Sequence, residues 1–475
     1  MDLNESFEKA QNLLKMHNQG HLLAFWQKLS TQQKQKLLSQ IETLDFPAID
    51  HWVEQYIKKV PIHHLPATFL PAPFYPFVPD NPSLAQKYDR AIQTGRQKIA
   101  NGKVAAFVVA GGQGTRLGFD GPKGNFPISP VKNKTLFQIF AETILAVSRK
   151  YKTTCPWYVM TSPLNYSQTK EIFRSNNYYG LNEKGVFIFQ QGTLPNFSFD
   201  GKILMSDADT IACSPDGHGG SIKALYSSGA IEDMKKRGIE ILTYWHVDNP
   251  LVNLFDPLFI GLHRLDNAEM SSKGLGKNHP KEKVGNFCLA DGKVTVIEYS
   301  DLPDEFAEKR KPDGSLVFNL GSIGIHIINR TFIEKLNRKD SALPLHRAIK
   351  KIPYIDESGK LVKPGRPNGI KLESFIFDAI PLASNSVVLE TLRSEEFAPV
   401  KNAEGADSPA VTKQMMLERA AFWLESAGVK VPRKSDGSLD CLIEISPLFA
   451  TEKEDILEKI NLIPQIKPGE TLYLE

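Results

Sequence analysis

Three things are scarce in this sequence, and each scarcity narrows what the protein can be. Cysteine is the first: 475 residues hold only Cys155, Cys213, Cys288 and Cys441, scattered and with no CxxC pair. A zinc ribbon or a disulfide framework is therefore not expected, and reduced thiols in a reducing compartment are. Long apolar runs are the second. No stretch approaches membrane-spanning length, and the first twenty residues, MDLNESFEKAQNLLKMHNQG, are charged and amphipathic, without the apolar centre of a signal peptide. The expectation is a cytoplasmic protein with no membrane partner. Net charge is the third: 57 Lys and Arg against 54 Asp and Glu leave +3. A nucleic-acid binder would rest on a broad basic surface, so no nucleic-acid partner is expected, although a small total can hide a local basic site.

What remains is an ordinary globular composition, 41% hydrophobic and 23% charged. At about 150 residues per domain, the length has room for about three domains. Residues 3–58 read as helices, with Leu13, Leu14, Leu22, Leu23, Phe25 and Trp26 at near-helical spacing. A proline-rich stretch from Val60 to Pro82 cannot be continuous helix and reads as an extended connection. A helix near Ser83–Ala100 leads into short buried strands alternating with helices, beginning with VAAFVVA after Lys103. This rhythm predicts an α/β fold, a Rossmann-like and mostly parallel sheet with helices on both sides. Near FCLADGKVTVIEYSDL and SLVFNLGSIGIHII the strands turn hairpin-like, which suggests an inserted antiparallel layer. The expected division is a helical N-terminal region over 1–100, a catalytic α/β domain over 101–395 and a small C-terminal lobe over 396–475.

The strongest local signal is VVAGGQGTRLGFDGPKGNFPISPVKNKTLFQIF. A buried strand ends at Ala110, and Gly111, Gly112 and Gly114 follow at once, a composition that lets backbone N–H groups approach an anion. Arg116 and Lys123 can add positive charge for phosphate oxygens. The segment lacks the GK[ST] of a P-loop, and Leu117 stands where a dinucleotide fingerprint needs its third glycine. Pro122, Pro127 and Pro130 postpone the helix to about Thr135. A loop this long inside a compact domain is usually functional, and phosphate binding is the reading it supports.

GGQGTRLG followed by PKG resembles the signature of the UDP-sugar pyrophosphorylases, with greatest similarity to their UDP-N-acetylhexosamine branch. The resemblance runs through HLLAFWQKL, FQQGTLPNFSFDGKI, SPDGHGG, YWHVDNPLV, VIEYSDL, FNLGS, GIKLESFIFD, EEFAPVKNA and CLIEISPL, most of the chain. It implies a uridylyltransferase that joins UTP to a sugar 1-phosphate and releases pyrophosphate. N-acetylglucosamine 1-phosphate is the first expectation, with glucose 1-phosphate or a broad specificity as the alternative. Catalysis would be positioning and charge neutralisation, without an enzyme nucleophile.

The resemblance also implies roles for individual residues. The loop with Ala110, Gly111, Gly112, Gly114, Arg116 and Lys123 would hold the triphosphate; Gln191 and Gly217 would contact the base, and His218 would lie beside nucleotide or sugar. Asp248, just beyond the strand IEILTYWHV, stands where open α/β sheets bind ligands and would handle Mg2+ as well as nucleotide. Gly285, Glu298, Tyr299 and Ser322 would form the sugar side, and Lys371 and Lys401 would converge on the phosphates. Two positions depart from the pattern. His218 replaces the asparagine of the N-acetylhexosamine branch and is more like the UDP-glucose branch, and FNLGS replaces FNAGN, which puts Ser322 at a sugar contact. A monomer or weak homo-oligomer is expected. Asp207-Ala208-Asp209 raises a glycosyltransferase-like DxD motif, but its setting reads as a hairpin turn. A non-catalytic UDP-sugar sensor would have to lose the phosphate cations, and Arg116 and Lys123 are both present.

Overall fold

A computed structural model describes residues 2–59, 66, 68–338 and 343–475. Part of the proline-rich stretch, residues 60–65 and 67, lies outside the described residues. The chain divides into two compact units, one of Met1–His64, Gly192–Gly220 and Leu343–Ile376, the other of Leu65–Gln191, Ser221–Ala342 and Phe377–Glu475.

In the first unit the helices Leu3–Met16, Thr31–Glu42 and Phe46–Trp52 surround a core of Leu14, Leu22, Trp26, Leu37, Leu38, Ile41 and Ile49. Ser30 starts the second helix with a reciprocal capping box to Gln33, which satisfies two otherwise orphaned N–H groups. The apolar spacing around Leu22 and Trp26 does not make one continuous helix; Gly20–Leu23 and Trp26–Lys28 are separate short turns. The same core takes in Phe197, Ile203, Met205, Ile211, Ile370 and Leu372. Helices and strands far apart in sequence thus share one apolar interior. Its strands run antiparallel in the order Leu345–Lys350, Gly369–Ser374, Phe197–Ser198.

The second unit is built on a ten-stranded sheet. Ile241–His246, Val104–Val109, Trp157–Thr161 and Val186–Gln190 are neighbours and parallel. Val104–Val109 and Trp157–Thr161 are apolar and buried almost throughout, as strands covered on both faces must be. The helix Leu136–Lys150 buries Phe137, Ile139, Phe140 and Ile144 against them, and its N-cap, Thr135, accepts the Gln138 N–H at 3.2 Å. These features agree with the α/β, Rossmann-like reading of the sequence.

The antiparallel segment expected as an inserted layer is instead part of this sheet. The long strand Leu320–Asn329 pairs antiparallel with Ile241–His246 over residues 326–329 and with Gly285–Ala290 at residues 321 and 322. Ten residues are enough to span two partners in succession, so the hairpin Gly285–Ala290/Lys293–Ile297 extends the sheet. Near the C-terminus, the helix Pro409–Ser426 packs on a parallel pair, Leu442–Ile445 and Thr471–Leu474, around Leu417, Leu424, Ile443 and Ile456. Among the described residues no helix is long and apolar enough to cross a membrane.

Candidate active site

The glycine loop leaves the sheet at Ala110, whose N–H donates to the Met160 carbonyl at 2.7 Å. Gly111 then passes against the side chain of Gln191: a Cβ on Gly111 would lie 2.5 Å from Gln191 Oε1. A side chain at position 111 would push the Gln191 amide out of this place. Gln191 is buried, with its own N–H on the Thr161 carbonyl at 2.8 Å. The expected phosphate loop and the expected base reader therefore touch, at the carboxyl ends of parallel strands.

The first turn of the loop is fixed by a residue that the sequence reading did not single out. Asn165, fully buried, donates from Nδ2 to the carbonyls of Ala110 at 3.0 Å and Gly112 at 3.2 Å. Its Oδ1 accepts from Ser162 N–H at 2.9 Å and from Ser162 Oγ at 3.1 Å. All the bonding capacity of one amide goes into holding the loop's entry. The only signal in sequence was a polar SPLN turn after a strand.

Further along, Arg116 sits exposed in the short turn Thr115–Leu117, with no ion-pair partner among the described residues. Gly114 N–H donates to the Gly121 carbonyl at 2.9 Å, and Lys123 N–H returns to the Gly112 carbonyl at 3.0 Å, closing the loop. The Lys123 ammonium reaches the Val400 carbonyl at 3.2 Å and Asp248 Oδ2 at 3.6 Å, with both side chains mostly buried.

Asp248 follows the strand Ile241–His246, as the sequence suggested, and its carbonyl accepts the Val400 N–H at 2.9 Å. Its neighbour Asn249, buried, ties the same turn to the same segment. Asn249 Nδ2 donates to the Glu396 carbonyl at 2.6 Å and its Oδ1 accepts Ala398 N–H at 3.1 Å. Lys401 comes next along that segment, 5.7 Å above the Phe397 ring and 3.9 Å from Asp407 Oδ2. His246, partly buried, lies within the field of all three charged groups. Burial holds its imidazole below the ordinary range, Asp248 pulls it upward, and Lys401 and Lys123 press it down. The structure thus brings Lys123, Asp248 and Lys401 together around His246, whose Nε2 is 3.1 Å from the Tyr244 hydroxyl. Neither His246 nor Asn249 was singled out in sequence, because apolar strand context and a turn hid them.

The expected sugar-side residues also share a place. Ser322 is in cross-strand register with Gly285 on one side and Gly274 on the other. Directly paired residues share a face, so Ser322 has no cross-strand side chain on either flank. Crowding requires glycine at the first of these: a Cβ on Gly285 would be 2.5 Å from Val296 Cγ1, and 3.8 Å from Glu298 Oε1. Glu298 is half-buried, and its carbonyl accepts the N–H groups of Asp301 and Leu302 at 3.0 Å. Tyr299 is 46% exposed.

Gly217, His218 and Lys371 belong to the first unit. Gly217 has φ +85° and passes the strand Gly369–Ser374 so closely that a Cβ would be 2.3 Å from the Ser374 carbonyl oxygen. His218 Nδ1 accepts the Ile376 N–H at 3.1 Å, and its ring stacks on Phe375 at 5.2 Å. Lys371 on the same strand is paired with Glu373. Asp207-Ala208-Asp209 is the turn between the antiparallel strands Met205–Asp207 and Thr210–Ile211, where Asp209 takes Lys36 Nζ at 2.9 Å. It is a structural hairpin, as its sequence context suggested.

A buried parallel sheet, a glycine loop at its carboxyl edge and cations gathered beside Asp248 are the equipment of a nucleotidyltransferase. The profile of the UTP–glucose-1-phosphate uridylyltransferase family matches residues 78–475. The chain is 38% identical to UDP-N-acetylhexosamine pyrophosphorylase-like protein 1 of Homo sapiens, over 93% of this chain and 92% of that protein. It is 35% identical to UDP-N-acetylglucosamine pyrophosphorylase of Saccharomyces cerevisiae, over 92% and 94% respectively. A crystal structure of the uridine diphosphate N-acetylglucosamine pyrophosphorylase from Trypanosoma brucei, solved with an inhibitor, superposes with a TM-score of 0.82 at 26% identity, covering 100% of this chain and 98% of that one. The chain belongs to the UTP–glucose-1-phosphate uridylyltransferase family and is a uridylyltransferase of the UDP-sugar pyrophosphorylase type.

Proposed function

We propose that the protein makes UDP-N-acetylglucosamine and pyrophosphate from UTP and N-acetylglucosamine 1-phosphate. The observation that carries the chemistry is the gathering of Lys123, Asp248 and Lys401 beside a glycine loop whose backbone touches Gln191. In the forward direction an oxygen of the sugar phosphate attacks the α-phosphorus of UTP, and the bond to the departing pyrophosphate breaks. No protein nucleophile is required. The protein must hold two anions in line and spread their charge over fixed donors.

In this reading Gly111, Gly112 and Gly114 offer backbone N–H groups to the triphosphate, and Arg116 and Lys123 neutralise it. Within the second unit, Gln191 reads uracil and Lys401 serves the phosphates. Asp248 suits Mg2+ by its chemistry: a single hard carboxylate is enough for an ion that fills its remaining positions with phosphate oxygens and water. Magnesium bound there would add charge neutralisation at the phosphates. In the free protein Lys123 already balances Asp248 at 3.6 Å, so the carboxylate is not left uncompensated in a partly buried place.

The sugar assignment is supported by the likeness to the UDP-N-acetylglucosamine pyrophosphorylase of Saccharomyces cerevisiae. Ser322, short and without a side-chain neighbour across the strands, favours a second reading in which glucose 1-phosphate is also taken. Pyrophosphate release from UTP with N-acetylglucosamine, glucose and galactose 1-phosphates in parallel tests both. The N-acetylglucosamine substrate is expected to give the highest kcat/KM. A higher value with glucose 1-phosphate would replace the first reading with the second.

A further inference from the structure

The far end of the glycine loop is held by the C-terminal lobe. Glu444, on the strand Leu442–Ile445, is 5% exposed. Its Oε2 accepts two successive backbone N–H groups of the loop, Val131 at 2.7 Å and Lys132 at 2.8 Å. A buried carboxylate is costly unless its lone pairs are satisfied, and here both bonds are charge-assisted and go to main chain. Further contacts cross the same junction: the buried Lys134 ammonium, paired with Glu142 Oε2 at 2.6 Å, meets Ser446 Oγ at 3.4 Å, and the Tyr473 ring lies 4.7 Å from Lys132 Nζ.

From this anchor, hydrogen bonds and the short stretches of chain between them lead to Lys123. The Ile128 and Ser129 N–H groups donate to the Lys134 carbonyl at 2.9 and 3.2 Å, and Leu136 N–H to the Phe126 carbonyl at 3.2 Å. Phe126 N–H donates to the Lys123 carbonyl at 2.9 Å, and Lys123 N–H to the Gly112 carbonyl at 3.0 Å. The loop is therefore a stitched frame with one end on Asn165 and the other on Glu444. We propose that Glu444 is a positioning residue for the nucleotide loop, through which the C-terminal lobe sets the placement of the Lys123 ammonium. The proposal rests on the reading of Lys123 as a triphosphate contact. A group held from two sides loses little further freedom on binding, and small displacements of such a group cost rate steeply.

Full-length Glu444→Ala and Glu444→Gln, each alone and combined with Lys123→Ala, test it through steady-state kinetics and amide hydrogen exchange. Glu444→Ala is expected to raise KM for UTP about tenfold, the scale of hydrogen bonds to a charged group, while KM for the sugar phosphate stays within about twofold. Glu444→Gln keeps the shape of the side chain and one acceptor oxygen, so it should fold and show a smaller effect in the same direction. Exchange should quicken at Val131 and Lys132 and along 123–126. In the Lys123→Ala background the added loss should vanish, which a lobe-stabilising role alone would not produce. Unchanged UTP kinetics in both Glu444 variants, with Lys123→Ala impaired, would overturn the proposal and leave the loop reading standing. Full additivity of the two substitutions would overturn it equally. Normal activity in Lys123→Ala would remove the loop reading, and this proposal with it.

Discussion

The proposed phosphate side and the proposed sugar side of the second unit are built on opposite principles. On the phosphate side, charges are present before any ligand arrives and two of the cations are already paired: Lys123 faces Asp248 at 3.6 Å, Lys401 faces Asp407 at 3.9 Å, and the backbone of Val400 bonds to both Lys123 and Asp248. On the sugar side, side chains are withheld: Ser322 stands between two glycines in the sheet. A site for polyanions needs fixed donors whose reorganisation cost is met during folding. A site for a neutral ring needs shape, which missing side chains supply as well as present ones. Substitutions on the first side should change rate, and substitutions on the second should change choice.

The largest effect is expected at Lys123. Lys123→Ala removes an ammonium that is held by Val400 and Asp248 in the free protein, and should lower kcat/KM by about 10²–10³, as loss of one preorganised donor does. Arg116→Ala is the control within the same loop. Arg116 is exposed and makes no ion pair among the described residues, so its removal should depress turnover without shifting the thermal midpoint of the free protein. Lys123→Ala should shift that midpoint, because it strands the Asp248 carboxylate. Pyrophosphate release and thermal melts of both variants separate these outcomes; equal midpoint changes would erase the distinction between a pre-paired and a free cation.

An intermediate effect belongs to Asn165. Asn165→Ala leaves the Ala110 and Gly112 carbonyls and the Ser162 N–H without the amide that serves them. The Gly112 carbonyl keeps the Lys123 N–H, but leaving the buried Ala110 carbonyl and Ser162 N–H unpaired costs about 1–3 kcal/mol each, so a midpoint lowered by several degrees is expected, together with a rise in KM for UTP. Loss of stability with unchanged UTP kinetics would show that the loop entry does not need this brace.

These residues also show where sequence was informative. The buried strands, the helix beginning at Leu136, the glycine loop and Asp248 at a strand end were all legible, because each depends on local chemistry: apolar runs, prolines that postpone a helix, glycines, a charge after a strand. Two kinds of feature were not. The N-terminal helices share a core with Phe197, Ile211 and Ile370, a pairing between segments far apart in the chain that periodicity cannot reveal. Asn165, His246, Asn249 and Glu444 act by what they touch, and each looks in isolation like an ordinary polar turn or strand residue. The antiparallel strands were recognised as hairpins but assigned to a separate layer, since pairing partners, unlike strand character, are not written locally.

The smallest expected effect sharpens the sugar side. Ser322→Asn introduces a longer side chain with both a donor and an acceptor at a position flanked in register only by Gly274 and Gly285. Neither directly paired residue has a side chain to displace, although Val296 and Leu320 lie over the two glycines, so the fold and the UTP kinetics should be unchanged. One added hydrogen bond to an acetamido group is worth about 1 kcal/mol net, and the ratio of kcat/KM for N-acetylglucosamine 1-phosphate over glucose 1-phosphate should rise by about fivefold. The competition is measured directly by supplying both sugar phosphates with UTP and resolving the two UDP-sugars. A changed total rate with an unchanged product ratio would place Ser322 on the phosphate side of the comparison, among residues that set rate, and would return the choice of sugar to Glu298 and its neighbours.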